Sequence, residues 1–346
     1  MTNSKVLNCK ITGIAYYLPE SILDNNQLAR RYAGWDENKI YEKTGIKKRH
    51  IVALDEHISD LAIKAALNLF GKKGIDPKDI DGLILCTQTP DYALPATACF
   101  LQDRLGISTR CLAFDFNQGC TGFIYGLSIA ASMVHSGLLK KVLLITSESY
   151  SRWCHPMDKS VTTIFGDAAA AVLISPAEND CGMGPFIFGT DGRGFRNLTV
   201  PSSGSHALKA GDVALRESED ESANIRTPAN LYMNGPELFR FVISTVPSMV
   251  NELLNAANNN IDDIDKFIFH QANSYMLRNI QNRLKIPQEK MIYEMEDVGN
   301  TVSASIPIAI ERSWKADKVS SGDRLLLAGF GVGYSWAGMM MTWNPD

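Results

Sequence analysis

Several features that would assign this sequence to a class at once are missing. Its seven cysteines (Cys9, Cys86, Cys99, Cys111, Cys120, Cys154 and Cys181) contain no C-x-x-C pair. An odd, scattered set argues against a disulfide framework and suits a reducing, cytoplasmic compartment. No His, Cys or carboxylate cluster has zinc spacing and no EF-hand loop occurs, so no metal site is expected. Long basic runs are absent too, and a net charge of −4 argues against nucleic acid as the main partner. Met1-Thr-Asn-Ser-Lys5 leads directly into a strand-like segment, so no signal peptide is expected. One uncharged stretch, Leu325 to Trp343, is long enough to suggest a membrane span. Gly329, Gly331, Gly333 and Gly338 interrupt it, and it reads as strand, glycine turn and strand.

What is present is a chain of 346 residues, 45% apolar and 21% charged, enough for a large buried core. The chain also repeats itself. Ile75-Asp-Pro-Lys-Asp-Ile-Asp-Gly-Leu-Ile-Leu-Cys86 resembles Ile261-Asp-Asp-Ile-Asp-Lys-Phe-Ile-Phe-His270. Ser136-Gly-Leu-Leu-Lys-Lys-Val-Leu-Leu-Ile-Thr146 resembles Ser321-Gly-Asp-Arg-Leu-Leu-Leu-Ala328, at nearly the same separation. Two landmarks in matched order indicate a duplicated α/β unit. Between them each half carries a further strand, Arg110–Asp115 or Met291–Met295, and then a helix, near Thr121–Val134 or Ser303–Trp314. Helical spacing also covers Asp60–Phe70, with Ser59 as its N-cap, and Pro236–Leu254, where Pro247 is expected to kink the helix. The expected division is an N-terminal half over 1–180, a polar excursion or lid with connection over 181–230, and a C-terminal half over 231–346.

The repeat places chemistry. Cys86 and His270 fall at equivalent strand ends, while Cys120 and Asn300 each precede the following helix. In open α/β sheets the ligand crevice lies beyond the strand C-termini, so two related halves would face Cys120 against His270 and Asn300. Glycines flank Cys120 in Asn117-Gln-Gly-Cys-Thr-Gly-Phe123, and the helix that begins there would favour thiolate over thiol. Taken alone, Cys120 reads equally as a buried structural thiol or a nucleophile. Alone, His270 reads as structural and Asn300 as a turn or cap residue. The three together point to nucleophilic catalysis.

Five motifs, in order, carry a resemblance. They are Gly-Cys-Thr-Gly-Phe around Cys120, Thr163-Ile-Phe-Gly-Asp-Ala-Ala-Ala170, His270-Gln-Ala-Asn273, Gly299-Asn-Thr-Val-Ser-Ala-Ser-Ile-Pro307 and Gly329-Phe-Gly-Val-Gly-Tyr-Ser-Trp336. Thr44-Gly-Ile46, Arg49-His-Ile51 and Met233-Asn-Gly235 extend it. This set resembles the β-ketoacyl-acyl-carrier-protein synthase III family. The resemblance implies an α/β protein with a thiolase-like five-layered αβαβα fold from two duplicated halves, working as a homodimer without a bound cofactor. It implies that Cys120 takes an acyl group from a coenzyme A or carrier-protein thioester. Malonyl on acyl carrier protein then loses CO2, with His270 and Asn300 holding the enolate oxygen, and condenses with acyl-Cys120. The backbone N–H groups of Cys120 and Val332 would form the oxyanion hole, and Phe165, Asn273 and Phe330 would line the substrate site.

The same resemblance marks departures. Where acetyl-primed members grip coenzyme A with an aromatic residue and two arginines, this chain has Lys39, Lys43 and Lys159, with Trp35 close by. The position at the end of the acyl pocket, contributed by the dimer partner, is Leu94. Arg240, Arg278 and Arg283 fall on the family's carrier-docking surface, although each also reads as ordinary solvated helix charge, and the arginine expected after the His motif is Tyr275. Two other functions stand beside condensation: acyl transfer from Cys120 to an oxygen or nitrogen acceptor, and a non-catalytic acyl-binding subunit. Loss of the His or Asn would favour the first, and an unreactive cysteine the second.

Overall fold

The computed structural model describes residues 6–177, 182–207, 209 and 215–345. Residues 1–5, the 180/181 boundary and Cys181 lie outside the described residues. The strands of the first half are β1 (Cys9–Tyr17), β2 (Gly82–Cys86), β3 (Leu112–Phe116), β4 (Val142–Glu148) and β5 (Ala168–Pro176). They form one sheet in the order β1-β5-β4-β2-β3. The second half supplies β6 (Met183–Thr190), β7 (Lys266–Phe269), β8 (Arg324–Gly331) and β9 (Ser335–Thr342), ordered β7-β8-β9-β6. Pairing β1 with β6, β5 with β9, β4 with β8 and β2 with β7 superposes the two orders, so the repeat in sequence is a repeat in topology. β6 lies within the segment 181–230 read as a connection, yet it is an edge strand of the second sheet.

Seven helices matter for the layers: α1 (Glu37–Thr44), α2 (Ile58–Lys73), α3 (Thr97–Arg104), α4 (Gly122–His135), α5 (Gly235–Ala256), α6 (Ser274–Leu284) and α7 (Ser305–Lys315). The strands read as unbroken apolar runs because each sheet is covered on both faces. Leu83 and Leu85 of β2 pack with α2 and α3, while Ile84 packs with α4 on the opposite face. Similarly, Phe267 and Phe269 of β7 face α5 and α6, and Ile268 faces inward. Helices α4 and α7 share the core between the two sheets. The result is the αβαβα layering expected. Its central helix pair brings the N-termini of α4 and α7 near one level, and with them the residues just before each helix.

Two local expectations change. Helix α2 begins at Ile58, with His57 as its cap residue, and the Asp60 carboxylate accepts the His57 N–H at 2.9 Å. Ser59 sits inside the first turn and does not cap. The strand expected at Met291–Met295 is reduced to a single parallel bridge between Met291 and Phe267. Gln271 takes over the hydrogen bonding there: its Oε1 accepts the Glu294 N–H at 2.7 Å and its Nε2 donates to the Ile292 carbonyl at 3.3 Å. A side chain thus satisfies backbone groups that a strand would pair. Helix α5 is continuous, with Pro247 inside it. As read from sequence, Leu325–Trp343 is the β8–β9 hairpin, and among the described residues no helix is long and apolar enough to cross a membrane.

Candidate active site

Cys120 leaves β3 through a tight turn in which the Gly122 N–H donates to the Gly119 carbonyl at 2.7 Å. His270 follows β7 directly, and its N–H donates to Ala328 of β8 at 2.7 Å. Its Nδ1 lies 2.7 Å from Ser305 Oγ, at the start of α7, and its ring meets Phe330 edge-on at 5.7 Å. Asn300 reaches the site by bridging to the other half. Its N–H donates to Ile164 at 2.9 Å, and its carbonyl accepts from Gly166 at 3.0 Å. Its side-chain Oδ1 accepts the Val302 N–H at 2.9 Å, which leaves the amide NH2 for the cavity. Val302 holds φ at +52°, an unusual conformation for a β-branched residue. That backbone sends its N–H to Asn300 and its carbonyl to His270, so the strain falls where the site is built.

All three residues line one cavity of about 380 Å³, together with Phe165, Asn273 and Phe330. The remaining wall is largely apolar: Leu198, Met233, Leu238, Val242 and Met276. Sequence reasoning had not placed these residues in the site; their only signal is hydrophobicity near matched motifs. The turn at Gly329–Gly331 lies against the nucleophile. A Cβ at Gly331 would stand 2.8 Å from Cys120 Sγ, and Gly331 has φ of +152°. Alanine at position 331 should therefore slow acylation of Cys120 by about tenfold or more, measured by intact mass against time. Acylation at the wild-type rate would show that this approach is not required.

Burial dominates the electrostatics. It pushes the Cys120 thiol up to about 12, a nearby Glu148 adds to the rise, and the backbone N–H groups of Val332 and Cys120 itself pull the other way. The helix-terminus effect expected to favour thiolate is thus outweighed. A helix end contributes only about 0.3–2 kcal/mol, and α4 starts two residues later with the Gly122 N–H already engaged. His270 is pushed down to about 3 by burial, against an opposing contact with the Val302 carbonyl. Burial thus favours the thiol form of Cys120 and the neutral imidazole of His270. Glu148, at the end of β4, was not singled out in the sequence. It is fully buried, and burial pushes its carboxyl up to about 8. An acidic residue closing the strand that opens with the apolar run Val142–Ile145 was the available signal.

Other predicted residues lie apart from the cavity. Lys39 and Lys43, on α1, stand over the Trp35 ring at 5.2 and 5.8 Å, and Lys39 Nζ also donates to Gly34 at 2.8 Å. Lys159 Nζ donates to the carbonyls of Ser222 and Ala223 at the tip of the Ser218–Arg226 hairpin. Arg226 ties the same hairpin down through Asp158 and Asp220, each at 2.7 Å. Lys159, a residue expected to grip substrate, thus helps hold the excursion; its residues 208 and 210–214 lie outside the described residues. Leu94 is 82% exposed and lines no part of the cavity. Arg240 pairs with Glu237 on α5, Arg278 lines a separate polar groove, and Arg283 lies in the last turn of α6. Among the described residues no group of His, Cys, Asp or Glu is arranged to hold a metal ion.

Comparison with known proteins agrees with this geometry. Residues 114–192 match the family model described as 3-oxoacyl-[acyl-carrier-protein] synthase III, and residues 254–343 match the model of its C-terminal region. The β-ketoacyl-[acyl-carrier-protein] synthase III of Trichodesmium erythraeum is 38% identical over 344 residues, covering 99% of this chain and 100% of the relative. A crystal structure of a 3-oxoacyl-(acyl-carrier-protein) synthase III superposes with a TM-score of 0.95 at 45% identity, covering 97% of this chain and 100% of the other. The corresponding synthase structure from Burkholderia xenovorans gives 0.90 at 34% identity, over 98% and 95%. With a five-layered thiolase-type fold, the Cys, His and Asn motifs on one cavity and relatives matched over their full length, the chain belongs to the β-ketoacyl-acyl-carrier-protein synthase III family.

Proposed function

We propose how this chain, a condensing acyltransferase of the synthase III kind, divides its reaction among residues. Cys120 Sγ attacks the carbonyl of an acyl thioester carried by coenzyme A or a carrier protein. The thioester bond breaks, and the Cys120 proton leaves with the departing thiol. Malonyl-carrier protein then enters. Its C–CO2 bond breaks, and the electron pair passes into an enolate whose oxygen is held by His270 and Asn300. Ser305 Oγ, 2.7 Å from Nδ1, and the Val302 carbonyl fix the ring, and in the tautomer that carries its proton on Nε2 the ring can donate to the enolate oxygen. Because burial holds His270 neutral, the ring donates a hydrogen bond without presenting an acidic imidazolium to the carbanion. The enolate carbon attacks acyl-Cys120, and the N–H groups of Cys120 and Val332, which already act on the sulfur, receive the tetrahedral oxyanion. Collapse releases the β-ketoacyl thioester and a Cys120 thiolate, which takes up a proton.

The observation that carries this reading is the meeting of Cys120, His270 and Asn300 on one apolar-walled cavity. The proposal extends to partners: acyl carrier protein docking through Arg240, Arg278 and Arg283, a homodimer in which Leu94 reaches the other subunit's pocket, and a cytoplasmic location. It requires no resident cofactor. The division at 1–180, 181–230 and 231–346 belongs to the same proposal, with the strand Met183–Thr190 assigned to the second half. The direct test supplies malonyl-carrier protein and a panel of acyl-CoA and acyl-carrier primers, and detects β-ketoacyl-carrier protein by mass. Product with at least one primer is expected. Labelling of Cys120 without a β-keto product would redirect the assignment to acyl transfer, and no labelling by any primer would leave only acyl binding.

A further inference from the structure

A chain of buried polar groups, unused by the reaction above, runs beneath the site and crosses between the halves. Glu148, from β4, accepts the Gln88 N–H on Oε2 at 3.0 Å, and its Oε1 lies 2.7 Å from Ser303 Oγ. Ser303 belongs to the short turn Val302–Ala304, between Asn300 and Ser305, the hydroxyl partner of His270. The Ser303 hydroxyl also reaches the Cys86 thiol. Cys86 in turn donates to the Gln118 carbonyl at 2.9 Å, two residues before Cys120, and its sulfur fills the space that a Cβ on Gly122 would occupy at 2.3 Å. One connected path therefore leads from the turn carrying Asn300 to the turn carrying Cys120.

We propose that Glu148 is a positioning residue for condensation, tying the Asn300–Ser305 turn through Ser303 and Cys86 to the Cys120 turn. The inference rests on the acyl-Cys120 reading above. Protonation sets the direction of the path. In the neutral carboxyl, Oε2 accepts from Gln88 and Oε1–H donates to Ser303, which frees the Ser303 hydroxyl to donate to Cys86. As pH rises through about 8 the carboxylate forms, draws the Ser303 proton to itself and opposes thiolate at Cys120. The titratable groups facing it are Cys86, Cys120, Tyr150 and Asp167, none of which can carry a positive charge. Glutamine reproduces the neutral arrangement, since its oxygen can accept from Gln88 while its NH2 donates to Ser303.

The test compares full-length wild type with Glu148→Ala, Glu148→Gln and Ser303→Ala, using butyryl-CoA and malonyl-carrier protein. Near pH 7, Glu148→Ala and Ser303→Ala should each lower condensation kcat by about tenfold or more, with KM for malonyl-carrier protein within about threefold. Glu148→Gln should stay within about threefold of wild type, and its activity relative to wild type should rise by about threefold or more between pH 7 and pH 9. A Glu148→Gln variant as slow as Glu148→Ala, or a ratio flat with pH, would overturn the assignment. Should Glu148→Ala not fold, Glu148→Gln and Ser303→Ala decide by the same criteria. Wild type is the control for the underlying reading: if no acyl-CoA labels its Cys120, that reading fails, whereas labelled wild type with indifferent variants overturns only the role of Glu148.

Discussion

Alanine at position 120 should abolish the acyl-enzyme and lower condensation by about 10³-fold or more, because among the described residues no second cysteine and no serine, threonine or lysine lines the cavity to replace the sulfur. The same variant should keep one half of the chemistry. Decarboxylation of malonyl depends on donors to the enolate oxygen, and His270 and Asn300 stand on other elements with their own supports at Ser305 and Ile164. Release of CO2 without a β-ketoacyl product is therefore the expected signature, measured by a coupled CO2 assay beside product mass. Such uncoupling is difficult to explain if Cys120 were a structural thiol. A Cys120→Ala protein that still condenses would refute the assignment of the nucleophile.

The reverse separation applies to the other two residues. Removing a hydrogen-bond donor to a developing oxyanion typically costs about 10²–10³-fold in rate. Asn300→Ala and His270→Ala should each lower condensation by about that factor while leaving Cys120 able to accept an acyl group within about tenfold of the wild-type rate. The double variant should fall short of the product of the two losses, since both donors serve one oxygen. Single-turnover acylation followed by mass, set against steady-state condensation, measures both quantities. The supports predict that Asn300 is the more sensitive position. Its Oδ1 also takes the N–H of Val302, whose left-handed backbone depends on that contact, so alanine there costs geometry as well as a donor. Equal loss of acylation and condensation in both variants would indicate general disruption and count against separate roles.

What the sequence made legible was whatever the duplication repeats. Ile75–Cys86 and Ile261–His270 lead into β2 and β7, and the order β1-β5-β4-β2 recurs as β6-β9-β8-β7. Once two halves are superposed, Cys120 and Asn300 must occupy related places, and for that reason the triad could be placed before any coordinates. What escaped was decided by single side chains acting at a distance in sequence. Gln271 removes a strand from the second half by taking the backbone groups of Ile292 and Glu294. Lys159 was expected at substrate phosphate, yet the excursion that returns more than sixty residues later brings Ser222 and Ala223 to its ammonium. The protonation of Cys120 was less legible: a helix terminus is visible in sequence, whereas burial of Cys120 beside Glu148, which raises the thiol, is a tertiary fact. Glu148 itself lies 155 residues from Ser303, and nothing local relates them.

The departures at Lys39, Lys43 and Leu94 now have physical form. Both lysines, on α1, stand over Trp35 just before that helix, so a cationic rim with an aromatic centre forms at the start of α1, away from the cavity. Leu94 is 82% exposed. Neither feature lines the cavity that holds Cys120.

The most direct test of the account is a chase on the acyl-enzyme. Cys120 is loaded with an isotopically labelled acyl group from acyl-CoA, excess donor is removed, and malonyl-carrier protein is added. Intact mass and peptide mapping then follow the label. The account predicts that it sits on the Cys120 peptide and transfers stoichiometrically into β-ketoacyl-carrier protein as CO2 is released. Condensation that proceeds while the label remains on Cys120, or a label residing on any other residue, would contradict it.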